Sequence, residues 1–426
     1  MTLIKIPRFP SFPIFLGELR MLKKISITAA TSLFVMLGFP EAAQSITFTS
    51  SIFASGLDNP SGLAFGPDDA LYVTEAGKGG PGPCVPSPSV QGAEICYGPT
   101  SAITRIKDGV QEQVITGLPS LALPDGSEAN GANDIAFDSN GLGYVVVGFA
   151  TNPANRDPIV GVPDFGSLIS LDFNQGTWTK LSDLSNYELL NNPDQTDIIS
   201  NPYSLLIEDN IAFIIDAGAN DLLSVDLSEN ETALEAVFEE IIAINPFSGL
   251  EIPVQSVPTS ITNGPDGAFY VGELTGFPFP DDGARIFRVV PGNEPEVYLE
   301  GFTQIIDLAF DNQGNLYVLE YAAQSLLTGN PVGALIQISS DGTRRNIGGD
   351  QLILPTAITV GADNAIYVAN NGPFSELGEI IRFKSTNEAT PVPESSSILG
   401  LLIFGINIAL FRYSRRSKIN RKPLQT

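Results

Sequence analysis

The chain has 426 residues, 43% of them hydrophobic, with 41 glycines and 32 prolines, which suits a turn-rich globular protein and argues against disorder. Its formal charge is −26, yet residues 1–45 and 391–426 hold 11 of the 22 Lys and Arg and only three of the 48 acids, so the middle is far more acidic and repels nucleic acid. Histidine is absent, which excludes Ser-His-Asp and Cys-His nucleophiles, His-ligated zinc or copper and a histidine base.

The first element is an address. From Met21, "MLKKISITAATSLFVMLGFPEAAQS" has a basic start at Lys23 and Lys24, an apolar run over 25–39 and a small-x-small cleavage site ending at Ser45. Residues 1–45 are therefore read as a signal region, with Met21 as the true start and cleavage near Ser45.

Six phrases then echo one another: "PSGLAFGPDDALYVTE" (60–75), "ANDIAFDSNGLGYVVV" (132–147), "PYSLLIEDNIAFIID" (202–216), "PTSITNGPDGAFYVGE" (258–273), "IIDLAFDNQGNLYVLE" (305–320) and "PTAITVGADNAIYVAN" (355–370). Each is a short apolar strand, a tight Asp/Asn/Gly turn and a second strand with aromatic and β-branched residues. A third strand follows each time, as in "AITRI" (102–106) and "IIRFK" (380–384), and a fourth is legible in "QEQVITGL" (111–118) and "EVYLEGF" (296–302). Four antiparallel strands recurring about every 50 residues predict an all-β, six-bladed β-propeller over 46–386. The last unit lacks an outer strand, while "ITFTSSIFASGL" (46–57) has that pattern and no blade, so it is expected to close the ring.

The loops leaving the second strands are long (76–101, 148–166, 274–283 and 321–333) and mark one face as the functional one. The first contains the two cysteines, Cys84 and Cys96, which are expected to form a disulfide in an exported chain. On that face the third residue of each phrase looks inward, giving Gly62, Asp134, Ser204, Ser260, Asp307 and Ala357. Blades two and five are opposite, so Asp134 and Asp307 would face each other, with Asn59, Asn133 and Asn201 nearby. Such an oxygen-only set suits Ca²⁺; the alternative is a water-filled channel whose polar lining satisfies strand ends. A second ring at the ends of the second strands, Glu75, Asp216, Glu273, Glu320 and Asn370, is too regular for catalysis and is read as capping the turn into the third strand. Crowding and burial there could still raise a carboxyl into the range of a general base.

The tail "TPVPESSSILGLLIFGINIALFRYSRRSKINRK" joins Pro393-Glu394, an apolar run over 398–411 and a basic cluster. It resembles the PEP-CTERM sorting signal, which implies an exosortase-type partner and membrane contact through the C-terminal segment alone. Pro393-Glu394-Ser395 departs from strict Pro-Glu-Pro, and a permanent anchor is the competing reading.

The stretch "ASGLDNPSGLAFGPDDALYVTEAGKGGPGPCVPSPSVQGAEICYGPTSAITRI" (54–106), with its glycine-rich loop and cysteine pair, resembles the opening of the ScyD/ScyE family of exported propellers from cyanobacteria and other bacteria. The likeness runs over about 46–386. It implies an extracellular or envelope-side propeller that binds or scaffolds, accessory to scytonemin-type pigment or matrix metabolism, with an extracellular polysaccharide or a pigment precursor as partner. Wider six-bladed relatives include NHL-repeat binders and lactonases resembling senescence marker protein; Asn201 and Asp307 could stand in the lactonase metal set, but no Glu precedes the first inner strand. A histidine-free, Ca²⁺-assisted enzyme acting on a lactone or an aromatic precursor is the alternative function. Quinone-dependent sugar dehydrogenases of similar shape rely on a histidine, which this chain lacks.

Overall fold

The structure, a computed structural model, describes residues 46–387. The Met21 start, the cleavage site near Ser45, Pro393-Glu394 and the apolar run all lie outside the described residues.

Twenty-seven strands follow one another around a ring. After β1 (Ile46–Leu57), blade one holds β2 (Pro60–Phe65), β3 (Leu71–Glu75), β4 (Cys84–Pro86), β5 (Glu94–Lys107) and β6 (Val110–Ala122). Blade two is β7 (Ala132–Phe137), β8 (Gly143–Val147), β9 (Ser167–Asp172) and β10 (Thr177–Asp183). A short helix, α1 (Leu184–Asn191), leads to blade three: β11 (Pro202–Glu208), β12 (Ile211–Asp216), β13 (Asp221–Asp226) and β14 (Thr232–Val237). A separate hairpin, β15 (Ile241–Ile244) and β16 (Glu251–Val254), precedes blade four: β17 (Pro258–Asn263), β18 (Phe269–Glu273), β19 (Ala284–Val289) and β20 (Glu296–Phe302). Blade five is β21 (Ile305–Phe310), β22 (Leu316–Glu320), β23 (Ala334–Ile338) and β24 (Arg344–Asn346). Blade six begins with β25 (Ala357–Val360), β26 (Ile366–Asn370) and β27 (Gly378–Asn387). Its fourth strand is β1, antiparallel to β27 from Ile46↔Asn387 to Leu57↔Gly378, so the N-terminal strand closes a six-bladed propeller.

The apolar residues explain why six sheets make a ring. The second strands β3, β8, β18, β22 and β26 are buried at every residue, because both of their faces meet a neighbouring blade. The core is accordingly divided into six clusters, one between each adjacent pair of blades. The cluster that joins the ring's two ends packs Leu63, Leu71 and Val73 of blade one against Ala357, Tyr367 and Ile380 of blade six. Tight turns occupy the opposite face. There Asp68, Asp266 and Asp363 each accept the amide two residues on and pair with Arg105, Arg288 and Arg382 of the third strand.

Three local features depart from the sequence reading. The cysteine loop is largely extended: β5 starts at Glu94, not 102, and β4 pairs with it so that Cys84 and Cys96 are direct register partners joined by a disulfide. This ribbon folds back tightly at Gly98, where a Cβ would lie 2.1 Å from the Gly79 carbonyl oxygen. Helix α1 and the hairpin β15–β16 are the other two, and both arise in segments that break the blade pattern. Asp183 caps α1 by accepting the Asn186 amide, and Arg156 grips Asp183 through two bonds of 2.5 and 2.9 Å.

Deleting residues 46–55 strips β27 of most of its outer partner. Several ladder hydrogen bonds at about 1 kcal/mol each are lost, and the melting temperature by calorimetry should fall by about 10 °C or more. An unchanged transition would contradict closure by β1.

Candidate functional site at the propeller axis

Each inner strand pairs on one edge only, and its other edge faces the axis with amides that need partners. The third residue of the repeat supplies them. Asp134 Oδ1 accepts the Ile135 amide of its own strand at 2.8 Å, and its Oδ2 accepts the Leu205 amide of blade three at 2.8 Å together with the Ser204 hydroxyl at 3.2 Å. Asp307 repeats the device, accepting Leu308 N at 2.7 Å and Ile358 N of blade six at 2.8 Å. Ser204 does the same toward Ile261 of blade four at 3.3 Å. In all three the acceptor reaches the fourth residue of the next blade's repeat phrase. Blade one has Gly62 at the corresponding place, where a Cβ would lie 2.5 Å from Asp134 Oδ1.

A second set of bonds runs the other way, from side chain to carbonyl. Asn133 Nδ2, Thr259 Oγ1 and Thr356 Oγ1 donate to the carbonyls of Pro202, Ile305 and Pro60, each the first residue of the next blade. Asn133 and Thr259 sit where their inner strands slip register by one residue, a bulge that turns an extra side chain toward the neighbour.

The oxygen set expected to hold Ca²⁺ is therefore occupied differently. Asn133 Nδ2 also donates to Asn201 Oδ1 at 3.3 Å, and Asn59 Nδ2 donates to the carbonyls of Gly77 and Gly126 at 2.7 and 2.8 Å. Asn59, Asn133 and Asn201 are thus engaged at strand entries and do not join Asp134 and Asp307 in one cage. Among the described residues no three carboxylates group closely enough to hold a metal ion.

On the loop-rich side of this ring lies a group of side chains that sequence reasoning missed: Tyr203, Tyr321 and Glu128. Tyr203, at the bulge of β11, lies near enough to Ser61 of blade one and to Asp307, Asp134 and Glu128 for each to act on its phenol. Tyr321, just after β22, is coupled to Glu128 and Tyr203. Burial raises both phenols, and burial followed by Asp125 raises the Glu128 carboxyl. Burial likewise pushes Asp134 up to about 7, and Asp307 is raised well above its ordinary range by burial and then by the Asp134 charge. The group thus combines two phenols held neutral with carboxyls whose proton affinity burial has raised. Tyr203 is the one aromatic residue among the second positions of the six repeat phrases, which is the signal that could have found it.

The strand-end ring has a common target different from the expected one. Antiparallel pairing sets the end of each second strand beside the start of the first, so these side chains reach the segment entering the inner strand. Glu75 accepts Asp58 N at 2.7 Å, Asp216 accepts Asn201 N at 2.6 Å, Glu273 accepts the Ser256 hydroxyl at 2.6 Å, Glu320 accepts Thr303 N at 2.8 Å and Asn370 accepts Ile353 N at 2.6 Å. Only Asp216 and Glu273 also bond amides of the turn or strand that follows. The expectation of caps on the turn into the third strand is corrected accordingly. Burial raises Glu320 to about 7.

No family model and no curated protein matches the chain. Solved structures similar to it include the PQQ-bound aldose sugar dehydrogenase of Streptomyces coelicolor, with TM-score 0.49, 10% identity and coverage of 81% of this chain and 100% of that one. A putative gluconolactonase gives TM-score 0.46, 9% identity and coverage of 80% and 92%. Virginiamycin B lyase of Staphylococcus aureus gives 0.44, 12%, and coverage of 80% and 99%.

A carboxyl whose folded pKa lies above its ordinary value holds its proton better in the folded chain, so its contribution is full below about pH 4 and is lost as pH rises through about 7. Asp134, Asp307 and Glu320 all carry that sign. Stability by urea denaturation should therefore decline from about pH 5 to about pH 8. Asp134→Asn should flatten that decline and, by setting an amide N–H against a backbone N–H, cost about 1–3 kcal/mol at the acid end. Stability that rises over this range would contradict the assignment.

Proposed function

We propose that this propeller is an exported binding module whose loop-rich axial face recognises a ligand with phenol or indole character, in keeping with the pigment-precursor partner implied by the ScyD/ScyE resemblance. The carrying observation is the division of labour at the axis. Asp134 and Asp307 are engaged on backbone amides, while Tyr203, Tyr321 and Glu128 are grouped on the loop-rich side of them. Such a group offers stacking faces and hydrogen-bond donors. An extracellular polysaccharide is the other partner class implied by the resemblance, and aromatic faces also suit sugar rings.

A second reading has one observation in its favour: the Asp134 carboxyl, raised to about 7, lies where a general base works at neutral pH. In that reading the chain is a histidine-free hydrolase of lactones or a modifier of an aromatic precursor.

Calorimetric titration of the full chain with an indole–phenol compound and with a neutral oligosaccharide tests binding. Tyr203→Phe and Tyr321→Phe should each weaken the phenolic ligand by about tenfold, the value of one hydrogen bond of about 1.5 kcal/mol. Failure of the wild-type chain to bind either compound removes the binding reading, and turnover abolished by Asp134→Asn would install the enzymatic one. Export rests on the sequence of 21–45 and the tail. Replacing Pro393 and Glu394 with Ala should leave the tail uncut in envelope fractions measured by mass spectrometry.

A further inference from the structure

Beneath α1, on blade three and away from the axis, four carboxylates lie near one another, although no three of them are close enough to ligate one ion. Two are fully engaged. Asp216 accepts the Ser200 hydroxyl and the amides of Asn201, Gly218 and Ala219, and Asp194 accepts Thr196 N, the Thr196 hydroxyl and Asn220 Nδ2. The other two are not. Glu188, on the inner side of α1, is 1% exposed and Asp221, the first residue of β13, is 0% exposed; all four of their carboxyl oxygens are buried without a hydrogen-bond partner. One helical turn past Glu188, at the end of α1, Asn192 Oδ1 is also buried and unpartnered, while its Nδ2 is fixed on the Thr196 carbonyl at 3.0 Å.

This is not how buried charge is ordinarily tolerated. Buried carboxylates are paired with a cation, hydrogen-bonded or metal-bound, because desolvation costs several kcal/mol per ion. The charges acting on Glu188 and Asp221 are all negative: Asp216 and Asp194 on both, and Glu188 on Asp221. Asp221 also stands directly opposite Asp216 in the β12–β13 ladder, a like-charge pair that destabilises a sheet. The helix is nonetheless held over them firmly. Arg156 grips its cap residue Asp183, and Ser185 donates to Ser200, which donates to Asp216.

The geometry points to a Ca²⁺ site built from Glu188 and Asp221, with Asn192 Oδ1 as a further oxygen ligand. Five hard, unpartnered oxygens from two carboxylates and one amide suit an ion that accepts six to eight oxygens in a tolerant geometry, with water completing the shell. Mg²⁺, which demands a near-ideal octahedron and sheds its waters reluctantly, fits a two-carboxylate pair plus an amide less well. Bound there, the ion would cancel the repulsion within the acidic group and tie α1 to β13.

The test is equilibrium dialysis and calorimetric melting of the full chain, stripped with chelator, in about 0.15 M salt, where the diffuse acidic surface is screened over about 8 Å. One Ca²⁺ should bind per chain in a saturable manner and raise the melting temperature. Glu188→Gln and Asp221→Asn should each weaken binding beyond the about 10–100-fold that follows from disturbing an outer partner. Both substitutions neutralise a repelled charge, so both should fold in metal-free buffer, and Asp307→Asn at the axis should bind Ca²⁺ as the wild type does. Absence of saturable Ca²⁺ binding by the wild-type chain would overturn the proposal, since the carboxyls would then be held as neutral acids. So would binding unchanged in both variants, or binding lost in Asp307→Asn.

Discussion

An inner strand with one bare edge is the constraint on which this molecule depends. Six such edges converge at the axis, and their amides and carbonyls would be orphaned if each blade were self-sufficient. The solution is reciprocal: a side-chain oxygen of one blade takes an amide of the next, and a side-chain donor of one blade takes a carbonyl of the next. The acids at the centre of the ring serve this purpose first. Their raised proton affinities follow first from the burial that this position brings.

That arrangement also explains which parts were legible in the sequence. The repeat "IIDLAFDNQGNLYVLE" exposes an inner hairpin because strand alternation and turn chemistry are local, and six copies of it identify the ring. The displaced strand 46–57 was legible for the same reason, since a strand pattern without a blade pairs with a blade lacking a strand. What Asp134 and Asp307 do was not. Their partners lie 71 and 51 residues further on, and nothing local distinguishes an acid that faces a cation from one that clamps a neighbour's amides. The strand-end acids failed in direction for a related cause: the pairing of Pro60 with Glu75, and its equivalents, turns them back toward the strand entry.

The acids under α1 illustrate a different limit. Helix α1 lies in a connecting segment with no repeat to betray it, and its eight residues carry too little amphipathic pattern to stand out. Only the fold shows that Glu188 and Asp221 share a dry space. The blade is regular while its connections are not, so insertions between blades are where this chain departs from its own template: the disulfide ribbon after β3, the helix before β11 and the hairpin before β17.

Because Ile46 and Asn387 are register partners, the two ends of the described ring lie about one strand spacing apart, roughly 5 Å. The ring therefore has one seam that no covalent link crosses, closed by strand pairing and packing, while consecutive strands elsewhere are joined by the chain. A short peptide bridging the seam would make the backbone circular, and the opening could then be moved to any tight turn without altering a single blade. Where the polypeptide starts is thus a property of the gene and not of the architecture.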